Sequence, residues 1–417
     1  MARQDSLTIQ TAWVSLDGDD SVTVSALAAL PTHLEPFADV FDERLCAKLP
    51  PLNRTTAMHI ELLPDAPPIT PSFPYKLSLK EEAALKAELV AGQASGKIVP
   101  STAVGGCPVM FVSEGDNSLR MCIDYRRLNA ATRAVKAILP TIEDTLASIP
   151  PKANLFSKID LKGAFNQLRL TPDSEALSAF VTKFGKFHYK VIPFGLRNAP
   201  GHFQKVMMDI FHDIVGNGIW VYIDDILIYE QDPTRHRELI FLILTRLRHH
   251  GLIATLHKCV FEVTECDFLG FHLSARGVSM ITHKISPILE FPTPQRLAQL
   301  QSFLRICNFY RVFIRGYAEL TLPLTKLFKK GARFVWDTAA SHAFQSLKDA
   351  FASPDFLLLP DRSQPFVLSC DASDYAVGAV LEQAGTDVPL VFTRINSQLM
   401  RSTMRFMTKS YSPLKVL

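Results

Sequence analysis

Val221-Tyr222-Ile223-Asp224-Asp225-Ile226-Leu227-Ile228-Tyr229 sets two adjacent carboxylates between two short apolar runs. Both runs are rich in β-branched and aromatic residues. Each reads as a strand, and the acid pair falls where a hairpin would turn. Aspartate is an ordinary turn former, so an isolated Asp-Asp in this position reads as a solvated turn. A third acid changes that reading. Phe156-Ser157-Lys158-Ile159-Asp160-Leu161-Lys162-Gly163-Ala164-Phe165 places Asp160 at the end of another apolar run. Carboxylates gathered on adjacent strand ends repel one another unless a divalent cation neutralises them. Hard oxygen ligands without His or Cys suit Mg²⁺. Two such ions can stabilise both the attacking and the leaving oxygen of an in-line phosphoryl transfer. Asp160, Asp224 and Asp225 are therefore the candidate catalytic and metal-binding residues.

With 417 residues the chain is too long for one ordinary core, and two to four compact units are expected. A hydrophobic share of 47% against 20% charged residues describes a globular chain. No run approaches eighteen apolar residues, which excludes a membrane-spanning helix. The N-terminus lacks the basic-then-apolar pattern of a signal peptide. Seven cysteines are scattered without a Cys-x-x-Cys pair, which argues for reduced thiols and against structural zinc. A net charge of +3 neither requires nor excludes a nucleic-acid partner.

The first fifty residues carry eight acids against three Lys/Arg and read as a linker or docking segment. Ser21 to Ala29 is expected to run from strand into short helix, and Leu34 to Phe41 to form a small amphipathic helix. Pro64 to Pro74 reads as extended chain. Ser78-Leu79-Lys80-Glu81 opens a helix with a capping-box pattern and a stripe of Leu85, Leu89 and Val90. Cys107–Val112 and Leu119–Asp124 read as a hairpin around Glu114-Gly115-Asp116-Asn117. Pro200 to Val215 and Thr234 to Gly251 read as helices, the second with a glycine stop. Short strands follow at Phe261-Glu262-Val263 and over Cys266 to His272, the latter read as a single one. Arg276 to Arg333 holds ten Lys/Arg and two Glu; Arg305, Arg311 and Arg315 on expected helices suit a phosphate-tracking surface. Ser341 to Phe351 reads as a helix, and Pro365–Ser373 and Val377–Leu381 as a strand pair.

These motifs, in this order, resemble the reverse transcriptase region of a gypsy-type LTR retrotransposon polyprotein, from about Asp39 to Leu417. The resemblance rests on Leu119-Arg120-Met121-Cys122-Ile123-Asp124-Tyr125-Arg126-Arg127-Leu128-Asn129, Phe156-Ser157-Lys158-Ile159-Asp160-Leu161, Pro193-Phe194-Gly195-Leu196-Arg197-Asn198-Ala199-Pro200 and Tyr222-Ile223-Asp224-Asp225. Phe268-Leu269-Gly270, Asn308-Phe309-Tyr310-Arg311 and Asp371-Ala372-Ser373-Asp374 extend it. It implies an α+β right-hand polymerase with fingers, ferredoxin-like palm and helical thumb, followed by an incomplete RNase H-like α/β domain. The expected divisions are an acidic linker (1–54), fingers and palm (55–272), thumb or connection (273–333) and a truncated RNase H-like domain (334–417).

By the same resemblance, Asp160, Asp224 and Asp225 would bind two Mg²⁺ ions, with Mn²⁺ as a substitute and the Leu161 carbonyl as a further ligand. Arg120, Phe165, Phe194 and Gly195 would form the dNTP site, Arg120 on the triphosphate and Phe165 against a ribose 2′-OH. Phe268, Leu269 and Gly270 would form the hairpin that grips the primer 3′ end, and Tyr222 would pack against its terminus. The implied function is RNA-directed DNA polymerase, with an RNA or DNA template, a primer and dNTPs as partners. A homodimer or a polyprotein is the implied assembly, in cytoplasmic particles with nuclear access for the product. Two departures stand out. The family's lysine run in the fingers turn is replaced around Ser113-Glu114-Gly115. In the RNase H-like segment Asp371 matches the first catalytic acid, whereas Pro413 stands where the second is expected, so RNase H activity is expected to be absent. The chain reads as a fragment or a decaying copy, and the competing reading is a relic that at most binds nucleic acid.

Overall fold

The computed structural model describes residues 30–396, except 68, 71, 114–118, 137–139, 329–333, 354–356, 362, 373–375 and 385–388, together with 414–415. The expectations for Ser21–Ala29, for the Glu114–Asn117 turn and for Met407–Pro413 lie outside the described residues. The chain divides into two units. The first holds Glu43–Lys136 and Gly163–His202; the second holds Leu30–Asp42, Ala137–Lys162 and Phe203–Leu417.

The first unit opens with α1 (Leu79–Ala94), where Ser78 and Glu81 form the reciprocal capping box read from the sequence. Leu85 and Leu89 are buried, but Val90 is 60% exposed. One residue further round the helix turns Val90 off the buried stripe. The strands are β1 (Ile98–Pro100), β2 (Cys107–Ser113) and β3 (Leu119–Ile123). After an excursion through β4 (Leu155–Asp160) of the second unit come β5 (Phe180–Thr182) and β6 (Gly185–Tyr189). They form one sheet in the order β1-β6-β5-β2-β3. The β2–β5 pair is parallel and the others antiparallel. The short helix α2 (Arg126–Ala131) follows β3, with Leu128 fully buried.

The second unit is built on β4, β7 (Ile219–Tyr222), β8 (Asp225–Glu230) and β9 (Val260–Val263), antiparallel in the order β7-β8-β4-β9. Ile226, Leu227, Ile228 and Tyr229 of β8 are all at most 2% exposed. A run buried on both faces fits a central strand, which is why the sequence there is continuously apolar and does not alternate. Short α3 (Ile142–Ala147) precedes the sheet, and α4 (Ala199–Phe211) buries Phe203, Met207 and Phe211. In α5 (Pro233–His250) Asp232 caps the first turn, Pro233 occupies the first helical position and Gly251 closes the helix at φ +67°. The 3-10 segment Thr32–Phe41 lies along α5. The Phe37 ring stacks on Phe241 at 5.8 Å, the Arg248 guanidinium covers it at 4.6 Å, and Arg248 Nε donates to Asp39 Oδ2 at 2.8 Å.

Beyond this sheet, β10 (Glu265–Phe268), β11 (Phe271–Ser274) and β12 (Gly277–Met280) form an antiparallel meander. The single strand expected over Cys266–His272 is thus two strands joined at Leu269-Gly270. Helices α6 (Thr282–Leu289), α7 (Leu297–Phe309), α8 (Tyr317–Lys326) and α9 (Thr338–Ala352) follow. One apolar core runs through the unit, from Phe156 and Tyr229 through Phe268, Phe271 and Phe303 to Leu347, Phe351, Leu357 and Leu359. Val278 and Leu357 exchange two backbone hydrogen bonds, at 2.9 and 3.1 Å. The strands β13 (Phe366–Ala372), β14 (Ala376–Gln383), β15 (Pro389–Asn396) and β16 (Leu414–Lys415) make a last sheet, in the order β15-β14-β13-β16. Its apolar cluster around Phe366, Leu381 and Leu390 is separate.

Candidate active site

The three acids come together at the ends of β4, β7 and β8. Tyr222 pairs with Asp225, so Ile223 and Asp224 are the two turn residues of a tight hairpin. Asp160 pairs in register with Asp225 across β4–β8. The Leu161 N–H then donates to the Asp224 carbonyl at 3.1 Å. Leu161 Cα also bridges to Ala254, and the Thr255 N–H donates to the Asp160 carbonyl at 2.8 Å. The backbone around Asp160 and Asp224 is therefore fixed from both sides. Lys158 lies two residues before Asp160, on the same face of β4. Its Nζ forms an ion pair with Asp225 Oδ1 at 3.5 Å, and both side chains are largely buried. Burial alone would lower the Lys158 ammonium, but the Asp225 and Asp160 carboxylates outweigh it and hold the group above its ordinary value.

Among the described residues, no three His, Cys, Asp or Glu side chains converge to hold an ion by themselves. That is compatible with Mg²⁺, which keeps several waters and takes one or two carboxylates together with substrate phosphates. The donor set at this strand end is all oxygen: Asp160, Asp224 and the Leu161 carbonyl, with Asp225 held by Lys158.

Arg120, Phe165, Phe194 and Gly195 come together in the first unit. The Phe165 and Phe194 rings meet edge-on at 5.4 Å, and the Arg120 guanidinium lies 5.9 Å from the centre of the Phe194 ring. Gly195 has φ +95°, a conformation that a residue with Cβ adopts only under strain. Asn129 clamps this bend: its Nδ2 donates to the Gly195 carbonyl and its Oδ1 accepts from the Arg197 N–H, both at 2.8 Å. A flat apolar ring, a guanidinium and a fixed bend can stack a base and grip a phosphate.

Leu269 (φ +49°) and Gly270 (φ +85°) form a turn of the mirror-image type between β10 and β11. Phe268 is fully buried, so it can offer a primer only its backbone. The Tyr310 hydroxyl donates to the Gly270 carbonyl at 3.1 Å. Asp371 lies on β13 opposite Gly378, and its side chain lies outside the described residues, as does Pro413. The sequence reading missed Lys158, Asn129 and Gln204. Only Lys158 had a signal in sequence, a cation at an inward-facing strand position two residues from an acid.

Comparison with known proteins gives the family. Residues 112–273 match the profile of the family described as reverse transcriptase (RNA-dependent DNA polymerase). Residues 336–410 match that of the RNase H-like domain found in reverse transcriptase. The Tf2-3 transposon polyprotein of Schizosaccharomyces pombe is 34% identical over 358 residues, or 86% of this chain and 27% of the polyprotein. The Tf2-7 polyprotein of the same organism matches with the same identity and coverage. The chain thus spans about a quarter of the length of the curated relatives it matches. A foamy viral protease-reverse transcriptase in complex with double-stranded DNA aligns with a TM-score of 0.76 at 20% identity, over 91% of this chain and 74% of that one. In complex with an RNA/DNA hybrid, the foamy viral protein gives 0.76 and 20%, over 92% and 53%. At this identity the likeness is one of fold, and it bears out the α+β reverse transcriptase fold expected from the sequence. The chain belongs to the reverse transcriptase family and carries the reverse transcriptase region and RNase H-like segment of a gypsy-type LTR retrotransposon polyprotein.

Proposed function

We propose that this chain is an RNA-directed DNA polymerase that adds dNTPs to a primer 3′-OH on an RNA or DNA template. The observation that carries the reading is the register placing Asp160 opposite Asp225, with Leu161 bonded to the Asp224 backbone. Asp160, Asp224 and the Leu161 carbonyl would hold Mg²⁺ or Mn²⁺. When bound, two such ions supply the charge that stabilises the attacking and leaving oxygens of an in-line displacement. Asp225, paired with Lys158, adds negative potential without being left uncompensated.

The remaining steps are positioning. Arg120 binds the triphosphate, and the Phe194 ring beside it limits where the guanidinium can point. Phe165 rejects a ribose 2′-OH by bulk, which selects dNTP over NTP. Gly195 shapes the nucleotide pocket, and the Leu269-Gly270 turn presents backbone groups to the primer end. In this reading fingers and palm extend over residues 55–272, a thumb or connection over 273–333, and the RNase H-like segment over 334–417. In that segment Asp371 matches the first acid of the cleavage site, Pro413 stands where the second is expected, and the segment is inactive as a nuclease. The polymerase works within a polyprotein or as a homodimer, in cytoplasmic particles with nuclear access for its DNA product.

The test is primer extension by the purified chain on poly(rA)–oligo(dT) with Mg²⁺, beside Asp224→Asn. Extension by the parent and none by the variant, with duplex binding retained in both, is expected. A folded parent that binds duplex without extending it would favour a nucleic-acid-binding relic instead. Equal loss of binding and activity in Asp224→Asn would count against the metal-site assignment.

A further inference from the structure

Gln204 of α4 is a polar side chain buried to 2% exposure. Its amide makes two bonds, one to β7 and one to the turn that follows it. Oε1 accepts from the Ile223 N–H at 2.6 Å, and Nε2 donates to the Val221 carbonyl at 3.0 Å. β7 is an outer strand of its sheet. A carbonyl and the N–H two residues further on form the pair that one residue of a neighbouring parallel strand would engage. The Gln204 amide takes the place of that residue's peptide groups and satisfies two backbone atoms at the point where the hairpin turns.

What it holds there is a strained turn. Ile223 has φ +54°, an outlying conformation for a β-branched residue and one that glycine supplies at this turn position in ordinary hairpins. Such a conformation persists only where its surroundings over-determine it. Ile223 is itself only 9% exposed, so the turn is fixed on one side by packing and on the other by the Gln204 amide. The next residue is Asp224.

We propose that Gln204 is a positioning residue for Asp224: it clamps the strained Ile223 turn so that the Asp224 carboxylate stays set beside Asp160. The inference rests on the polymerase reading above and adds to it a residue that touches neither substrate nor metal. Without the clamp, the turn relaxes toward an ordinary conformation and carries Asp224 with it. Divalent-metal affinity and turnover then fall, while duplex binding, which depends on other surfaces, does not.

The experiment compares the parent chain with Gln204→Met, which has similar length and neither strong donor nor acceptor, and Gln204→Glu, which keeps the acceptor for Ile223 and loses the donor. Each is made with and without Ile223→Gly. Mn²⁺ affinity is read by electron paramagnetic resonance without substrate, turnover by primer extension, duplex affinity by anisotropy and folding by thermal melting. Gln204→Met is expected to lose about tenfold or more in turnover, as small displacements of reacting groups do, and to bind Mn²⁺ correspondingly less well. Gln204→Glu is expected to fall between it and the parent. In the Ile223→Gly background most of the loss caused by Gln204→Met should vanish, because glycine adopts the turn unaided. That non-additivity is the signature of a clamp acting through the turn. A Gln204→Met chain that only melts earlier, with unchanged Mn²⁺ affinity and turnover, would overturn the proposal. So would an undiminished loss in the Ile223→Gly background. If Gln204→Met does not fold, Gln204→Glu with and without Ile223→Gly decides in the same way. A parent chain that extends no primer would refute the polymerase reading, while the Mn²⁺ measurements would still test the clamp.

Discussion

Acid should weaken the sheet that carries Asp160 through a single histidine. His236 lies in the first turn of α5 with its ring fully buried. Its Nε2 is 2.8 Å from Ser157 Oγ on β4, three residues before Asp160. Ser157 Oγ also accepts from the Glu262 N–H at 2.8 Å. Burial of the ring disfavours the imidazolium, so the ring is neutral at pH 7. Burial brings the imidazolium down from its ordinary 6.5 to about 4, against a weaker opposing pull from the Glu262 and Glu230 carboxylates. The unfolded chain therefore takes up this proton near 6.5 and the folded chain only near 4. The contribution is fully present above pH 6.5 and is lost as pH falls toward 4. The whole difference is worth about 3 kcal/mol, of which about 2 kcal/mol is gone by pH 5. Urea unfolding at pH 7 and pH 5 measures it. His236→Gln keeps an acceptor for Ser157 but does not titrate, so other groups cancel in the comparison. The parent is expected to lose about 2 kcal/mol more than the variant on acidification. Equal losses, or an NMR titration placing folded His236 near 6.5, would refute the reasoning.

Lys158→Met removes the cation beside Asp225; between the ranges for exposed and buried pairs, it should cost about 1–3 kcal/mol of metal-free stability. Because the acids are then less compensated, Mg²⁺ should raise the melting temperature more in the variant than in the parent. Equal melting with equal Mg²⁺ shifts would dispose of the idea. Gly270→Ala places a Cβ at φ +85°, 3.1 Å from the Phe309 ring. A loss of about 1–2 kcal/mol in urea unfolding is expected, together with weaker extension from the primer end. An unchanged unfolding midpoint would show that the turn tolerates a side chain. The RNase H-like segment should release no fragments from a labelled RNA strand in a hybrid. Metal-dependent cleavage that disappears with Asp371→Asn would prove that expectation wrong.

The acid hairpin was legible because an acid pair interrupts two apolar runs, but the turn itself is Ile223-Asp224 and Asp225 already belongs to β8, a one-residue shift that the residue types could not show. The capping box at Ser78 and the glycine stop at Gly251 were legible because each is a local hydrogen-bonding or backbone requirement met by a nearby residue. In the residue pattern the β10–β11 turn was hidden, because Leu269 is a leucine at positive φ inside an apolar run and the one residue there typical of turns is Gly270; only the family resemblance marked a hairpin at this point. Helix α8 was hidden by Pro323 in its interior. Gln204 and Asn129 could not be read at all. Their partners lie 17 and 19 residues away in one case and 66 and 68 in the other, and an amide that satisfies distant backbone leaves no periodicity behind. The acids could be named from sequence; what aims them could be seen only once the chain was folded.

The apolar core that backs β4 and β8 also sets how much of the chain can be lost before the fold opens. Phe344 packs on Phe303 at 4.6 Å, and Leu347, Phe351, Leu357 and Leu359 close the same core. A premature stop near residue 334, where the RNase H-like segment begins, would strip these side chains away and leave Phe303 and its neighbours facing water. The product would be a sticky, unstable chain and not a trimmed one. The same lesion after Asp361 would cut only into the last sheet, whose small cluster around Phe366 is separate. Loss of the last sheet would therefore leave the larger core closed, whereas a loss that reaches back to some twenty-five residues inside that segment would open it.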